Sequence, residues 1–491
     1  MEKEKSLAKN SLYSVLYKLL NVLFPLVTTT YVARILLASG TGKVAYAQNI
    51  VQYFVIVSAL GIPNYGIREI ARRQGNQIET DKVFSELFVI NACSTLICTI
   101  VYYCLIFNSA RFVDNQLLFS VTGLTLILNF INVDWFYQGN EEYGYIAARN
   151  FIVKLCSLLL IFLFVRNEDD FVKYASIHSL AIAGNNIFNI IHLRGKVHFS
   201  VRGLDVKIHI KPVLILLASS ISIELYTLLD TTMLGAWCMN SVVGYYNNAT
   251  KLARIINSTI SSIALVLLPR LSYYFSLRNK EELNKIANRV LKILITLTIP
   301  ATVGVFLLAD DIIIILFGLS FEPAAFTLKI LSVLIIAVAL NNYFGTQILM
   351  TFGQEKKLLA SVLCGAIVNV TLNSILIKPY LQNGAAFASA VSEVCVLLAT
   401  FLFAKKYVLF KINKAYWCTL IASVIMMGGA VYVVTLIEIP RFAELIVGII
   451  VGVVIFASVG MVSKNEGVRD IYYVSKGLFQ EMMRKIIRGK T

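Results

Sequence analysis

The sequence predicts an all-α polytopic membrane protein of about fourteen transmembrane helices, arranged as two six-helix bundles with two further C-terminal helices. Composition is the first reason. Of 491 residues, 58% are apolar and 15% are charged, and the mean hydropathy is +0.74. A soluble chain carries roughly 25% charged residues. This one lacks the polar surface to cover itself in water, so lipid must be its solvent. That excludes a cytosolic enzyme and a disordered scaffold. The second reason is the recurrence of apolar runs near the length that crosses ~30 Å of hydrocarbon. The third is the way Lys and Arg alternate between the connections.

The runs lie at about 11–37, 43–66, 83–106, 115–138, 148–165, 170–192, 213–234, 242–267, 290–308, 325–350, 358–377, 384–404, 416–437 and 442–462. The first follows a charged start, MEKEKSLAKN, and shows no small-residue cleavage site, so it reads as a retained helix. Placing the N-terminus inside puts 33 of the 44 Lys and Arg on the inner connections. Only Lys43, Arg111, Arg166, Lys173, Lys378 and Arg441 fall outside. Positive loops stay cytoplasmic, so this asymmetry supports an even number of spans with both termini inside. Trp135 and Trp417 fall at inner ends and Trp237 at an outer one, where amphipathic rings prefer to lie.

The net charge of +16 reads, in this setting, as attraction to anionic lipid rather than to nucleic acid. The eight cysteines form no CxxC pair and sit almost entirely in apolar runs. They read as small packing residues, with neither a disulfide framework nor a metal site. No nucleotide-binding loop or cofactor fingerprint is present.

Matching pieces recur across the two halves in order. Gly42, Ala47 and Ile50 answer to Gly244, Ala249 and Leu252, and Pro63 answers to Pro269. Gly139-Asn140-Glu141 answers to Gly353-Gln354-Glu355, and Tyr174-Ala175-Ser176 to Phe387-Ala388-Ser389. A duplicated unit with an even helix count enters the membrane twice from the same side, so a pseudo-twofold axis along the membrane normal is expected, with binding in the cleft between bundles. The expected parts are an N-lobe at 1–193, a basic cytoplasmic linker at 194–212, a C-lobe at 213–404, and two helices with a basic tail at 405–491.

Several stretches carry a family resemblance. Tyr31-Val-Ala-Arg34, Leu60-Gly-Ile-Pro-Asn-Tyr-Gly-Ile-Arg-Glu69, Asp134-Trp-Phe-Tyr-Gln-Gly-Asn-Glu141, Asp230-Thr-Thr-Met-Leu-Gly235 with Val243-Gly-Tyr-Tyr246, and Asn383-Gly-Ala-Ala-Phe-Ala-Ser-Ala-Val-Ser-Glu393 together resemble the Wzx-type polysaccharide flippases. That group is a branch of the multidrug/oligosaccharidyl-lipid/polysaccharide exporter superfamily. The resemblance runs from about residue 10 to 460, and Tyr46-Ala-Gln-Asn-Ile-Val-Gln-Tyr53 looks most like members from Gram-positive capsule or exopolysaccharide clusters. It implies a flippase that moves an undecaprenyl-diphosphate-linked oligosaccharide repeat unit from the inner to the outer leaflet of a bacterial cytoplasmic membrane, through a cavity lined by the first, second, seventh and eighth helices. It also implies anionic lipids, a polysaccharide polymerase and chain-length regulators as partners, with no nucleic acid. A multidrug or lipid II exporter of the same superfamily is the near alternative. A membrane-embedded polysaccharide polymerase is the distant one, disfavoured because the outer connections are short and lack catalytic groups.

Charged residues inside the runs are the candidate site. Lys251 and Arg254 lie ~14 and ~18 Å along the eighth run and, three residues apart, share a face. A mid-membrane cation costs at least ~2.5–3.5 kcal/mol, so such residues either line a pathway or pair, here with Glu224 of the seventh run. Lys18 and Arg34 of the first run join them as candidate substrate-binding cations, with snorkelling as the bland reading. Lys329 reads as snorkelling, and Asp310-Asp311 has no obvious partner. Asp230, Glu224, Asn369, Asn373 and Glu393 are candidates for coupling export to Na⁺ or protons, against a plain role in bonding helices together. Asp134 and Glu141 read as interfacial anchors. The histidines near the linker, His192, His198 and His209, read as solvated or headgroup-facing. No resident cofactor or metal is expected.

Overall fold

The computed structural model describes residues 2–265, 279–473 and 476, with side chains for residues 23–217, 228–261, 279–473 and 476. Among the described residues the chain is helical and contains no strand. Each predicted apolar run coincides with helix. Among the described residues, eight helical segments are long and apolar enough to cross a bilayer; of these, Glu355–Ala404 takes in two of the predicted runs, and Leu23–Arg72 the second run and part of the first. The chain is a multi-pass membrane protein. It divides into two compact units, Met1–Gly244 and Tyr245–Thr491.

In the first unit, helix α1 (Glu2–Ala59) is two helices joined across a single residue, Leu37, at φ 54° and ψ −173°. The predicted connection at 38–42 is therefore helical. Just after the kink, Thr41 donates its hydroxyl to the Leu37 carbonyl at 2.8 Å. After α2 (Ile62–Arg72), α3 (Gln77–Asn108) starts at Asn76, whose side chain accepts from the Glu79 N–H at 3.3 Å. The predicted fourth span is broken into α4 (Gln116–Thr122), α5 (Leu124–Ile127), a 3₁₀ turn (Leu128–Ile131) and α6 (Asp134–Gly139). Buried phenols receive the breaks: Tyr102 donates to the Phe119 carbonyl at 2.7 Å. Helices α7 (Tyr143–Phe164), α8 (Phe171–Leu193) and α9 (Lys207–Trp237) complete the unit. Between α7 and α8, Lys173 and the backbone N–H groups of Arg166 and Asn167 lower the Asp170 carboxyl pKa to about 2, so this turn is capped at any physiological pH.

Helix α10 (Asn240–Leu265) begins against the turn of α1. Here Gly42 and Gly244, the pair that the internal repeat relates, meet backbone to backbone. A Cβ on Gly42 would lie 1.7 Å from the Asn240 carbonyl oxygen, and one on Gly244 would lie 2.1 Å from that of Ala38. Neither position tolerates a side chain.

In the second unit α11 (Lys280–Leu307) leads through α12 (Ala309–Phe317) to α13 (Pro323–Leu331) and α14 (Val333–Asn341). These last two continue into a π-helical stretch, Asn342–Leu349. Helix α15 (Glu355–Ala404) is again two arms joined at one residue, Leu381 (φ 51°), just after Pro379. Helices α16 (Lys414–Thr435) and α17 (Arg441–Val462) follow. Tyr343 donates to the Ala287 carbonyl at 2.6 Å, tying the π segment to α11.

Gly42→Ala and Gly244→Ala are each expected to destabilise the protein by about 1–3 kcal/mol through overpacking. Gly429→Ala, in α16 with nothing within 4 Å of the new methyl, is the control. Melting followed by size-exclusion fluorescence should show a fall for the first two only.

Candidate functional site

Helix α10 is amphipathic in a protein whose other long helices are mostly not. Asn247, Thr250, Lys251, Arg254 and Ser258 recur at helical spacing on one face, while Ala249, Leu252 and Ala253 are buried opposite. Two bonds fix the helix in place. Tyr246 and Ser389 join hydroxyl to hydroxyl at 3.0 Å, and Asn257 donates to the Ile335 carbonyl at 3.1 Å. Lys251 is half-buried and Arg254 exposed, and neither makes an ion pair with a described residue. The two cations thus share one polar stripe of α10 with no acid paired to either among the described residues. Glu224, the partner that the sequence offers, and Lys18 have side chains outside the described residues.

Within the second unit the two arms of α15 bring the coupling candidates into the interior. Asn373 donates to the Asn369 carbonyl oxygen at 3.0 Å, and both residues are fully buried. Glu393 is buried and accepts from the Asn341 amide at 2.5 Å, at the residue where α14 passes into its π segment. In the first unit Arg34 is exposed, three residues before the turn of α1. Asp230 is buried on α9, beside the contacts that Asn49 and Tyr53 make to Thr232 at 2.7 and 2.8 Å.

Other charges settle differently from their sequence reading. Lys329 does not snorkel; it pairs with Asp310 at 2.5 Å, which also supplies the partner that Asp310 lacked. His209 is not solvated. It is 1% exposed, held between Glu86 at 2.8 Å and the Tyr65 hydroxyl at 2.9 Å, because the first turn of α9 packs on α2 and α3. Trp135 is not interfacial but buried, stacked on Phe84 with ring centroids 5.4 Å apart and covering Gly66. Asp134 is more than an anchor: it binds Arg149 at 2.7 Å. That arginine, counted with the basic inner connection, is buried on α7 and also donates to Asn189 and Asn150.

The second unit also holds an apolar groove of about 480 Å³, between α11, α16 and α17. Gly304, Gly448 and Gly452 open it by withholding side chains, and Leu308, Met427 and Phe456 wall it. Its volume is that of a ligand site.

Comparison with known proteins places this architecture. The family model for polysaccharide biosynthesis protein matches residues 7–275, more than half of the chain. The chain belongs to the polysaccharide biosynthesis protein family. A second model, that of lipid II flippase MurJ, matches residues 186–455. Among curated relatives, a putative O-antigen transporter of Shigella dysenteriae is 23% identical over 79% of this chain and 98% of its own length. The probable low-salt glycan biosynthesis flippase Agl15 of Haloferax volcanii is 27% identical over 49% of this chain, and the match spans about half of that relative. The solved inward closed structure of lipid II flippase MurJ superposes with a TM-score of 0.76 at 15% identity, covering 94% of this chain and 99% of that one. The fold is thus that of the multidrug/oligosaccharidyl-lipid/polysaccharide exporter superfamily, and the chain is a transporter rather than an enzyme.

Asp134→Leu leaves a buried guanidinium without its acid and is expected to cost about 3–5 kcal/mol, whereas the double change Asp134→Leu/Arg149→Met should recover a large part. Folded yield and melting temperature in nanodiscs read the difference.

Proposed function

We propose that this transporter carries undecaprenyl-diphosphate-linked oligosaccharide repeat units from the inner to the outer leaflet of the bacterial cytoplasmic membrane, feeding capsule, exopolysaccharide or O-antigen assembly. The observation that carries the reading is the cationic stripe of α10, with Lys251 and Arg254 on one face and no acid paired with either among the described residues. A diphosphate is the ligand such a stripe suits: it is anionic at neutral pH and offers several acceptor oxygens.

Each part of the substrate poses its own physical problem. Sugar hydroxyls stripped of water without partners cost several kcal/mol each, so the glycan needs a polar route. The side chains Asn247, Thr250 and Ser258 supply one beside the cations. The prenyl anchor needs hydrocarbon, and the groove behind Gly304, Gly448 and Gly452 supplies it within the same unit. With the cytoplasm negative, each negative charge moved outward gains ~2.3 kcal/mol per 100 mV, so the potential assists export. Alternating access then returns the empty carrier. Arg34 and Lys18 extend the cationic route in this proposal, and Asp230, Glu224, Asn369, Asn373 and Glu393 are the groups through which Na⁺ or a proton would couple. Both termini lie in the cytoplasm, and the polymerase and chain-length regulators receive the product.

The match to the MurJ model favours one second reading, export of lipid II. Deleting the gene distinguishes the two by which lipid-linked intermediate accumulates inside spheroplasts. Build-up of repeat-unit lipid supports the proposal, and an unchanged repeat-unit pool overturns it. Lys251→Gln/Arg254→Gln is expected to abolish export while the protein still reaches the membrane, read as surface polysaccharide against membrane level. Gly304→Leu, which adds a side chain where nothing lies within 4 Å, fills the groove and should slow export several-fold without lowering the folded yield.

A further inference from the structure

Two helix breaks of the first unit flank one small polar pocket. Helix α1 ends at Ala59 and the chain turns through Leu60 (φ 52°) and Gly61 (φ 77°) into α2, while the 3₁₀ turn ending at Ile131 gives way at Asn132 to α6. The pocket there, of about 10 Å³, is lined by Pro63, Asn91, Asn129, Asn132 and Trp135, with Ala59 and Ile62 behind them. Its polar groups are almost all spoken for. Asn91 uses its amide N–H bonds on the carbonyls of Asn129 and Phe130, at 3.2 and 3.3 Å. Asn129 donates to the Ser58 hydroxyl at 2.8 Å. Two fully buried atoms of its lining residues, the Asn91 Oδ1 acceptor and the Trp135 Nε1–H donor, on side chains 5% and 3% exposed, have no hydrogen-bond partner.

A buried polar atom without a partner costs about 1–3 kcal/mol, and folded proteins satisfy nearly all of them. Here a donor and an acceptor are orphaned on residues lining the same pocket. A cation would meet the indole N–H, and an anion would meet the Asn91 carbonyl oxygen. The ligand that satisfies both is neutral and both accepts and donates. A pocket of roughly 10–15 Å³ holds one water-sized group.

We propose that this pocket binds a single hydroxyl, which accepts from Trp135 Nε1–H and donates to Asn91 Oδ1, bridging α6 to α3 where α1 and the fourth span are both interrupted. Water is one source of that hydroxyl. The other is a sugar hydroxyl of the exported glycan, and this second source rests on the function proposed above.

The test uses the full-length protein with Trp237→Phe and Trp417→Phe, leaving Trp135 as the sole tryptophan. Ultraviolet resonance Raman of the purified, sugar-free protein reports whether its indole N–H is hydrogen-bonded. A bonded N–H that weakens in Asn91→Leu establishes the bridge with water as the source. A free N–H, together with several-fold loss of export in both Asn91→Leu and Trp135→Phe at unchanged membrane level, establishes the bridge with a glycan hydroxyl. A bonded N–H that ignores Asn91→Leu overturns the proposal, and so does a free N–H when either variant that reaches the membrane exports normally. The spectroscopic arm needs no transport, so it stands even if the export reading fails, and the Lys251→Gln/Arg254→Gln protein tests that reading separately.

Discussion

Hydrocarbon offers no hydrogen bonds, and this constraint governs the whole chain: every backbone or side-chain polar group at membrane depth must find a partner within the protein or face a wet surface. Helix is the default answer, and the places where it fails are the informative ones. At Leu37 and Leu381 a single residue reverses the chain, and the Thr41 hydroxyl donates to the Leu37 carbonyl. Where the fourth span breaks, phenols and asparagines reach across to the exposed backbone. The interruptions at Leu37 and in the fourth span are therefore partly supported by named side-chain partners.

The same constraint decided what the sequence disclosed. Apolar runs and the sidedness of Lys and Arg are one-dimensional signals of partition between lipid and water; they located the long described helices but not α12 (Ala309–Phe317), which falls between two predicted runs. The Gly42 and Gly244 correspondence was visible because a close backbone approach leaves room for no other residue. What was not legible depends on neighbours distant in sequence. Nothing local distinguishes Arg149, buried on Asp134 and Asn189, from the solvated arginines near it. Likewise His209 sits in a basic stretch that reads as solvated, and only the packing of the start of α9 against Glu86 and Tyr65 encloses it. The groove of the second unit was illegible for another reason: it is made of what Gly304, Gly448 and Gly452 lack, and an absent side chain has no hydropathy signature.

Within the site, the two kinds of candidate separate by environment. Lys251 and Arg254 stand on a polar stripe without an acid beside them among the described residues, an arrangement that leaves their charge available to a visitor. Asn369, Asn373 and Glu393 are instead buried: the two asparagines bond to each other one turn apart in the first arm of α15, and Glu393 of the second arm accepts from Asn341 at the start of the π segment. A π-helical register stores an extra residue and is often found at sites that change shape. Its position next to the Asn341 and Glu393 contact gives that buried carboxyl a mechanical neighbour as well as a chemical one.

The glycine-lined groove has a further consequence for selectivity. A lipid tail that leaves the bilayer for these walls exchanges one oily medium for another, so the hydrophobic effect that drives ligands into pockets of water-soluble proteins is missing. Ordinary acyl chains are present in vast excess and are equally welcome there. Under the function proposed above, discrimination must then come from the part of the molecule that touches charge and water, which leaves the groove to guide rather than to choose.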